Sequence, residues 1–218
     1  MFLNIVVRIN IMKNKLFDFD NSLREKYKNI IGLDEVGRGC IAGPLVVVGV
    51  ILNPNFFDDR IKDSKLIKSI ELRKELKNLI LKNSISYQIE VVNSNIVDQL
   101  GPKQASVKGM TKIANGLIND YDLCLTDFEK IKDLEKPQMN LVKGDNTSFT
   151  IACASIIAKS TRDDYMEELD NKYPNYLFKN HQGYLTKKHL QLIHQYGPIK
   201  EVHRFSYKPI KLILNKSK

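Results

Sequence analysis

Asp34 and Glu35 stand side by side in an apolar stretch, IIGLDEVGRGCIAGPLVVVGVIL, over residues 30–52. Burying a carboxylate costs several kcal/mol unless it is paired or bound to a cation. Two acids in such surroundings, running straight into a Gly-Arg-Gly turn, point to a metal site at a strand end with a basic loop beside it. Asp127 and Asp145 follow short apolar stretches farther along the chain. Magnesium and manganese prefer oxygen ligands, chiefly carboxylate and water. Two such ions roughly 3.5–4 Å apart can activate a water and stabilise a leaving oxygen in phosphoryl transfer. That arrangement needs carboxylates converging from separate strands. Taken singly, Asp127 or Asp145 reads as a turn residue or a helix cap; Asp34-Glu35 in its apolar run does not. One geometric difficulty remains. Neighbours on a regular strand point to opposite faces, so these two share a site only if the strand ends or twists there, which Gly37 permits.

The elements that must position these acids follow from periodicity and breakers. Residues 29–35 and 44–52 read as strands, paired as a hairpin or meander because the loop between them is too short for a helix. A charged segment, 16–28, reads as a short helix or arm. Residues 66–82 read as a helix and 85–92 as a strand. Gly101-Pro102 breaks the chain, and apolar residues then recur at helical spacing over 107–118. A short strand over 121–126 ends at Asp127, and a charged loop covers 128–138. A last strand over 140–142 ends at Lys143-Gly144-Asp145. Residues 150–169 read as a helix whose small side chains (ACASIIA) let it lie close to a sheet. After Pro174 the chain is irregular, then helical over 186–196, and it ends in a basic tail. The order β-β-α-β-α-β-β-α-α puts all four acids at or just beyond strand ends.

With 218 residues, 43% of them hydrophobic, the chain can bury one sizeable core. Lys and Arg outnumber Asp and Glu by 34 to 25, a net charge of +9, which favours a polyanionic partner, nucleic acid first. Cys40, Cys124 and Cys153 stand far apart, so neither a zinc site nor a disulfide framework is indicated, and a cytoplasmic setting is expected. No run approaches a membrane span. The first eleven residues are apolar but lack a signal-peptide pattern; either translation begins at Met12 or residues 1–11 form a frayed extension.

The ordered motifs resemble those of the type 2 ribonuclease H (ribonuclease HII) family. Its opening motif is Asp34-Glu35-Val36-Gly37-Arg38-Gly39, followed by Ala42-Gly43-Pro44. Asp63-Ser64-Lys65, the aspartates Asp127 and Asp145, the helix segment 154–163, Gly183-Tyr184-Leu185-Thr186 and His203-Arg204-Phe205 follow in succession. The resemblance covers about residues 29–207 and implies an α/β RNase H-like fold: a five-stranded mixed sheet flanked by helices, with a small helical C-terminal extension. It implies an N-terminal extension (1–28), a catalytic domain (29–185) and a basic helical segment (186–218). It implies metal-dependent cleavage of RNA in RNA–DNA hybrids, and incision of duplex DNA on the 5′ side of an embedded ribonucleotide, leaving a 3′-hydroxyl and a 5′-phosphate. Asp34, Glu35, Asp127 and Asp145 would then hold two Mn2+ or Mg2+ ions. Gly37, Arg38 and Gly39 would contact the ribonucleotide and its phosphates, and Tyr184 would pack near the 2′-hydroxyl. Lys65 and Lys143, with Lys159 and Arg162, become phosphate contacts; Arg204, Lys208 and Lys211 would grip the duplex farther out. His181 and His203 are given no catalytic role. A monomer is expected, with a sliding clamp as a partner to consider.

Three departures bear on fine specificity. Phe128, Cys40 and Leu66 stand where the family usually has glycine, proline and lysine. The related type 3 enzymes carry an added N-terminal domain, for which the 28 residues before the first strand are too few. A dinucleotide fold fits poorly, since the glycines at 37, 39 and 43 miss the G-x-G-x-x-G spacing and a strand follows. A binding module without catalysis would not be expected to keep four candidate ligands.

Overall fold

The computed structural model describes residues 14–62 and 64–216. The candidate start at Met12, and Asp63, lie outside them. Five strands form one mixed sheet: β1 (Ile30–Val36), β2 (Leu45–Leu52), β3 (Ser84–Val92), β4 (Leu123–Asp127) and β5 (Gln138–Leu141). Their order is β3-β2-β1-β4-β5. β2 is antiparallel to both β1 and β3, whereas β1–β4 and β4–β5 are parallel. The helices are α1 (Lys15–Arg24), α2 (Ile70–Lys82), α3 (Ser94–Leu100), α4 (Pro102–Gly116), α5 (Phe149–Lys172), α6 (Phe178–His181), α7 (Lys187–Tyr196) and α8 (Lys208–Lys216).

β2 shows why the sheet is covered on both sides. All of its residues are buried, as a continuous apolar run requires. Val46, Val48, Val50 and Leu52 meet α2 and α5 on one face. Leu45, Val47 and Ile51 meet α4 on the other. α5 lies closest to the sheet: a Cβ on Gly32 of β1 would meet the Thr150 carbonyl carbon at 2.6 Å. Ser148 caps this helix, accepting from Ile151 N at 3.2 Å. Asp20 of α1 fastens the same end, its Oδ2 accepting from Thr150 N at 2.8 Å and Thr150 Oγ1 at 2.6 Å.

Several elements differ from the reading of the sequence: β5 begins at Gln138, inside the expected loop, and the short α6 lies in the stretch expected to be irregular. The helix expected from residue 66 starts at Ile70, because Ser69 caps it, accepting from Leu72 N at 3.0 Å; residues 64–66 form a separate 3-10 turn. α3 occupies the stretch before the break, and Gly101 (φ 78°) separates it from α4. The expected helical C-terminal segment includes α8, which buries Ile210 and Ile213 in a third cluster with Ile41, Met166, Phe178 and Leu192. Among the described residues no helix is long and apolar enough to cross a membrane.

Candidate active site

β1 runs on to Val36, so Asp34 and Glu35 keep the strand's alternation. Asp34 faces α5, where Ser155 donates to its carboxylate. Glu35 faces α4, where Ser106 Oγ donates to its Oε2 at 3.0 Å. No twist between them is needed, because the strand ends just beyond and both acids border one cavity of about 230 Å³ around that end. Asp127 and Asp145 line the same cavity, with Ser64, Ser155, Lys159 and Tyr184.

The sheet register explains the convergence. Leu33 pairs with Thr126 in the parallel β1–β4 ladder, and the next step sets Asp34 beside Asp127. Asp127 Oδ1 accepts from Gly144 N at 2.7 Å, which ties it to the turn carrying the buried Asp145. That turn starts with Lys143 in the left-handed region (φ 55°). Lys143 is exposed there, outside the cavity lining. Lys65 sits in the 3-10 turn beside Ser64, and its side chain is not among those described. Tyr184 is 45% exposed, and its hydroxyl is hydrogen-bonded to the Cys40 thiol.

Burial pushes the Asp34 carboxyl well above the usual carboxylate range, and the charges of Glu35 and Asp127 push it further, against the Ser155 and Glu35 N–H hydrogen bonds. Burial also raises Glu35, opposed by Arg38 and Ser106. A divalent cation would reverse this logic, since it stabilises the ionised forms. The donor set suits one: the acids are all oxygen ligands, and the donors at Asp34 are neutral. As arranged, no three acidic, His or Cys groups among the described residues close on one point as a finished metal cage. Strand alternation, which turns Asp34 and Glu35 to opposite faces of the sheet, contributes to that separation.

The basic loop has two unlike glycines. Gly37 has φ 94°, and a Cβ there would meet Arg162 Nε at 2.4 Å. Gly39 is exposed, and a Cβ there would meet nothing within 4 Å. Between them, Arg38 Nη1 lies 3.3 Å from Glu35 Oε1, and Nη2 lies 2.8 Å from Glu129 Oε1.

Two arginines expected at the nucleic acid are interior instead. Arg162 is fully buried, donating to the carbonyls of Pro44 at 2.9 Å, Gln182 at 2.8 Å and Ala42 at 3.0 Å. Arg204 is equally buried and donates to the carbonyls of Arg38 and Gly43, each at 3.0 Å. Neither can reach a phosphate; both fasten the loop after β1 to the C-terminal segments. Lys208 and Lys211 are exposed on α8, and Lys159 lines the cavity while pairing with Asp163.

His181, His189 and His203 form a buried cluster below Tyr184. His189 Nδ1 donates to Tyr184 O at 2.9 Å. His203 Nδ1 accepts from Ile199 N at 2.9 Å, so its Nε2 donates to His189 Nε2 at 3.2 Å. His181 Nε2 donates to Tyr176 O at 2.9 Å, and its Nδ1 accepts from Gly183 N at 3.2 Å. All three rings are therefore neutral, with tautomers assigned by their partners. Burial lowers His189 to about 3 and His203 to about 4.

Ser155 and Glu129 were not singled out by the sequence. Ser155 sits in a segment read as packing, yet Ser155 and Lys159 share a helix face at i,i+4 spacing, a signal that could have marked them. Glu129 lies in a charged loop and gave no signal.

Carboxylates gathered at the central strands of this mixed sheet, beside an arginine-bearing turn, define a nuclease of the ribonuclease H class. The profile of the family described as Ribonuclease HII matches residues 31–210. The chain is 46% identical over 203 residues to the ribonuclease HII of Mycoplasma capricolum subsp. capricolum, covering 93% of this chain and 97% of that one. It belongs to the ribonuclease HII family and is an endoribonuclease of the hydrolase class, acting on RNA–DNA hybrids and producing 5′-phosphates. Three solved structures share the fold. Ribonuclease H2 from Pyrococcus horikoshii OT3 aligns with a TM-score of 0.71 at 21% identity, over 86% of this chain and 98% of that one. The Archaeoglobus fulgidus ribonuclease HII in a PCNA complex gives 0.68 at 23% identity, over 83% and 95%. Bst-RNase HIII in complex with Mn2+ gives 0.64 at 18% identity, over 87% and 70%.

Proposed function

We propose that the chain cuts duplex DNA on the 5′ side of an embedded ribonucleotide, as well as RNA in hybrids, leaving a 3′-hydroxyl and a 5′-phosphate. The observation that carries this is the bordering of one cavity by four carboxylates from three separate places in the chain, with Tyr184 on its wall. Asp34, Glu35, Asp127 and Asp145 would hold Mg2+ or Mn2+. Bound there, two such ions would supply an activated water and stabilise the departing oxygen. The chain's own residues do the rest. Arg38 and the exposed Lys143 face the phosphates by charge. Gly39, which neither its conformation nor its neighbours require, leaves room for the sugar-phosphate backbone to come close. Tyr184 packs near the 2′-hydroxyl that separates RNA from DNA. The enzyme would work as a cytoplasmic monomer, and the Archaeoglobus complex supports a sliding clamp as a partner.

A labelled DNA duplex carrying one ribonucleotide, incubated with Mg2+, Mn2+ or a chelator, tests this. Metal-dependent incision on the 5′ side is the expected result. Cleavage of continuous hybrids alone would overturn the junction assignment, and undiminished cleavage in chelator would overturn the metal assignment.

A further inference from the structure

Glu129 lies two residues past Asp127, and its side chain is only 4% exposed. Carboxylates are almost never this buried without a partner. The local backbone is shaped to put it there. Phe128 has φ 67°, and Glu129 N donates to Asp127 O at 2.8 Å, a tight turn that a non-glycine residue adopts under strain. Thr126 Oγ1 at 2.6 Å and Asn140 Nδ2 at 2.9 Å both donate to the Glu129 carbonyl. The turn leaves Phe128 60% exposed and sends Glu129 inward.

Inside, Glu129 Oε1 meets Arg38 Nη2 at 2.8 Å, and its Oε2 lies 3.7 Å from Lys103 Nζ. The other arm of the same guanidinium lies 3.3 Å from Glu35 Oε1. One arginine is thus shared between an acid that lines the cavity and one that does not. An arginine stays charged at any working pH. Held wholly on Glu35, it would compete with a divalent cation for the same oxygens. The Glu35 contact has hydrogen-bond geometry, while Glu129 makes the shorter ion pair from the more buried carboxylate, where less water screens its charge.

We propose that Glu129 is a positioning residue: it retains Arg38 at the mouth of the site and so keeps Glu35 available to a divalent cation. This rests on the reading of Glu35 as a metal ligand. Mn2+ binding without nucleic acid, followed by the electron paramagnetic resonance of free Mn2+, tests it in a double-mutant cycle. Glu129→Gln should weaken Mn2+ binding about fivefold or more, a typical coupling between linked sites. Arg38→Ala should bind Mn2+ at least as well as the parent chain, and adding Glu129→Gln to it should change affinity less than about twofold.

Equal weakening with and without Arg38 would reduce Glu129 to a nearby negative charge and overturn the proposal, as would no weakening at all. Glu129→Asp keeps the charge on a shorter arm and should fall between the parent and Glu129→Gln; a weaker affinity than Glu129→Gln would also overturn it. Thermal melting identifies any variant that has lost its fold, and the Asp form then carries the cycle. No Mn2+ binding by the parent chain would remove the metal reading and this proposal together. The expected cycle with cleavage indifferent to metal would support Glu129's role and overturn the proposed reaction instead.

Discussion

At Asp34 the needs of stability and chemistry oppose each other. Burial and neighbouring acids raise its carboxyl, so the unfolded chain releases that proton at a lower pH than the folded chain does. Without a cation, Asp34 therefore favours the fold less as pH rises from the ordinary carboxylate range through its raised folded value. Asp34→Asn removes that cost. In chelator it should melt higher than the parent at neutral pH, and the difference should vanish in acid; equal melting at both would remove the argument. Its cleavage should fall by more than the roughly 10–100-fold typical of residues that merely support a metal ligand. A turnover assay with circular dichroism of the same sample checks both. The two loop glycines separate fold from substrate in the same way. Gly37→Ala must fit a Cβ against Arg162 Nε with φ at 94°, so it should fold poorly. Gly39→Ala meets nothing; it should hold or gain about 0.4–1 kcal/mol of stability while KM for the hybrid rises. A fall in stability with unchanged KM would return Gly39 to an ordinary turn residue.

The Gly183–Tyr184 turn is held from two sides by neutral histidine rings, and that joins α6 and α7 to the mouth of the site. His181 accepts from Gly183 N, His189 donates to Tyr184 O, and the two rings stack with centroids 3.9 Å apart. Asp170 of α5 is the acid whose charge reaches His181, and it favours protonation there against burial. His189 and His203 stay neutral down to about 3 and 4 when folded, but titrate near 6.5 once unfolded. Below that pH the unfolded chain takes up protons that the folded chain refuses, so each ring lowers stability as pH falls. From pH 6.5 to 5 the loss is roughly 1.5–2 kcal/mol per ring. His203→Gln keeps a donor toward His189 but cannot titrate. Urea melts between pH 7.5 and 5 should show a shallower decline for this variant than for the parent. Parallel declines would mean that His203 is already charged in the fold, against its bond from Ile199 N.

Across the whole molecule, what could be read in advance followed what burial makes costly. Asp34-Glu35 stood out because acids inside an apolar run need a reason, and β2 because eight apolar residues in a row fit only a covered strand. Arg162 and Arg204 were misread because a basic residue in a basic chain reads as surface, and only the fold shows the carbonyls they satisfy. α3 was missed because it is short and buries Val97 against distant parts of the chain, whereas α8 falls inside the expected helical C-terminal segment. The net charge of +9 is likewise not all available to a polyanion. Lys74, Lys77 and Lys179 are paired with Asp164 and Glu167 on α5, and Lys112 with Glu90. The cationic groups nearest the site are the exposed Lys143 and the acid-paired Arg38 and Lys159, whose charges a phosphate would have to share. Three phosphate contacts imply a log–log salt slope near −2.7, or roughly a 40-fold loss of affinity between 50 and 200 mM salt. Measured by fluorescence anisotropy with the Asp34→Asn chain, Lys143→Ala should reduce that slope by about 1, whereas Lys74→Ala, whose charge is already taken up by Asp164 and Glu167, should leave it unchanged. Equal changes from both substitutions would mean that binding follows net charge rather than a defined path across the carboxylate cavity.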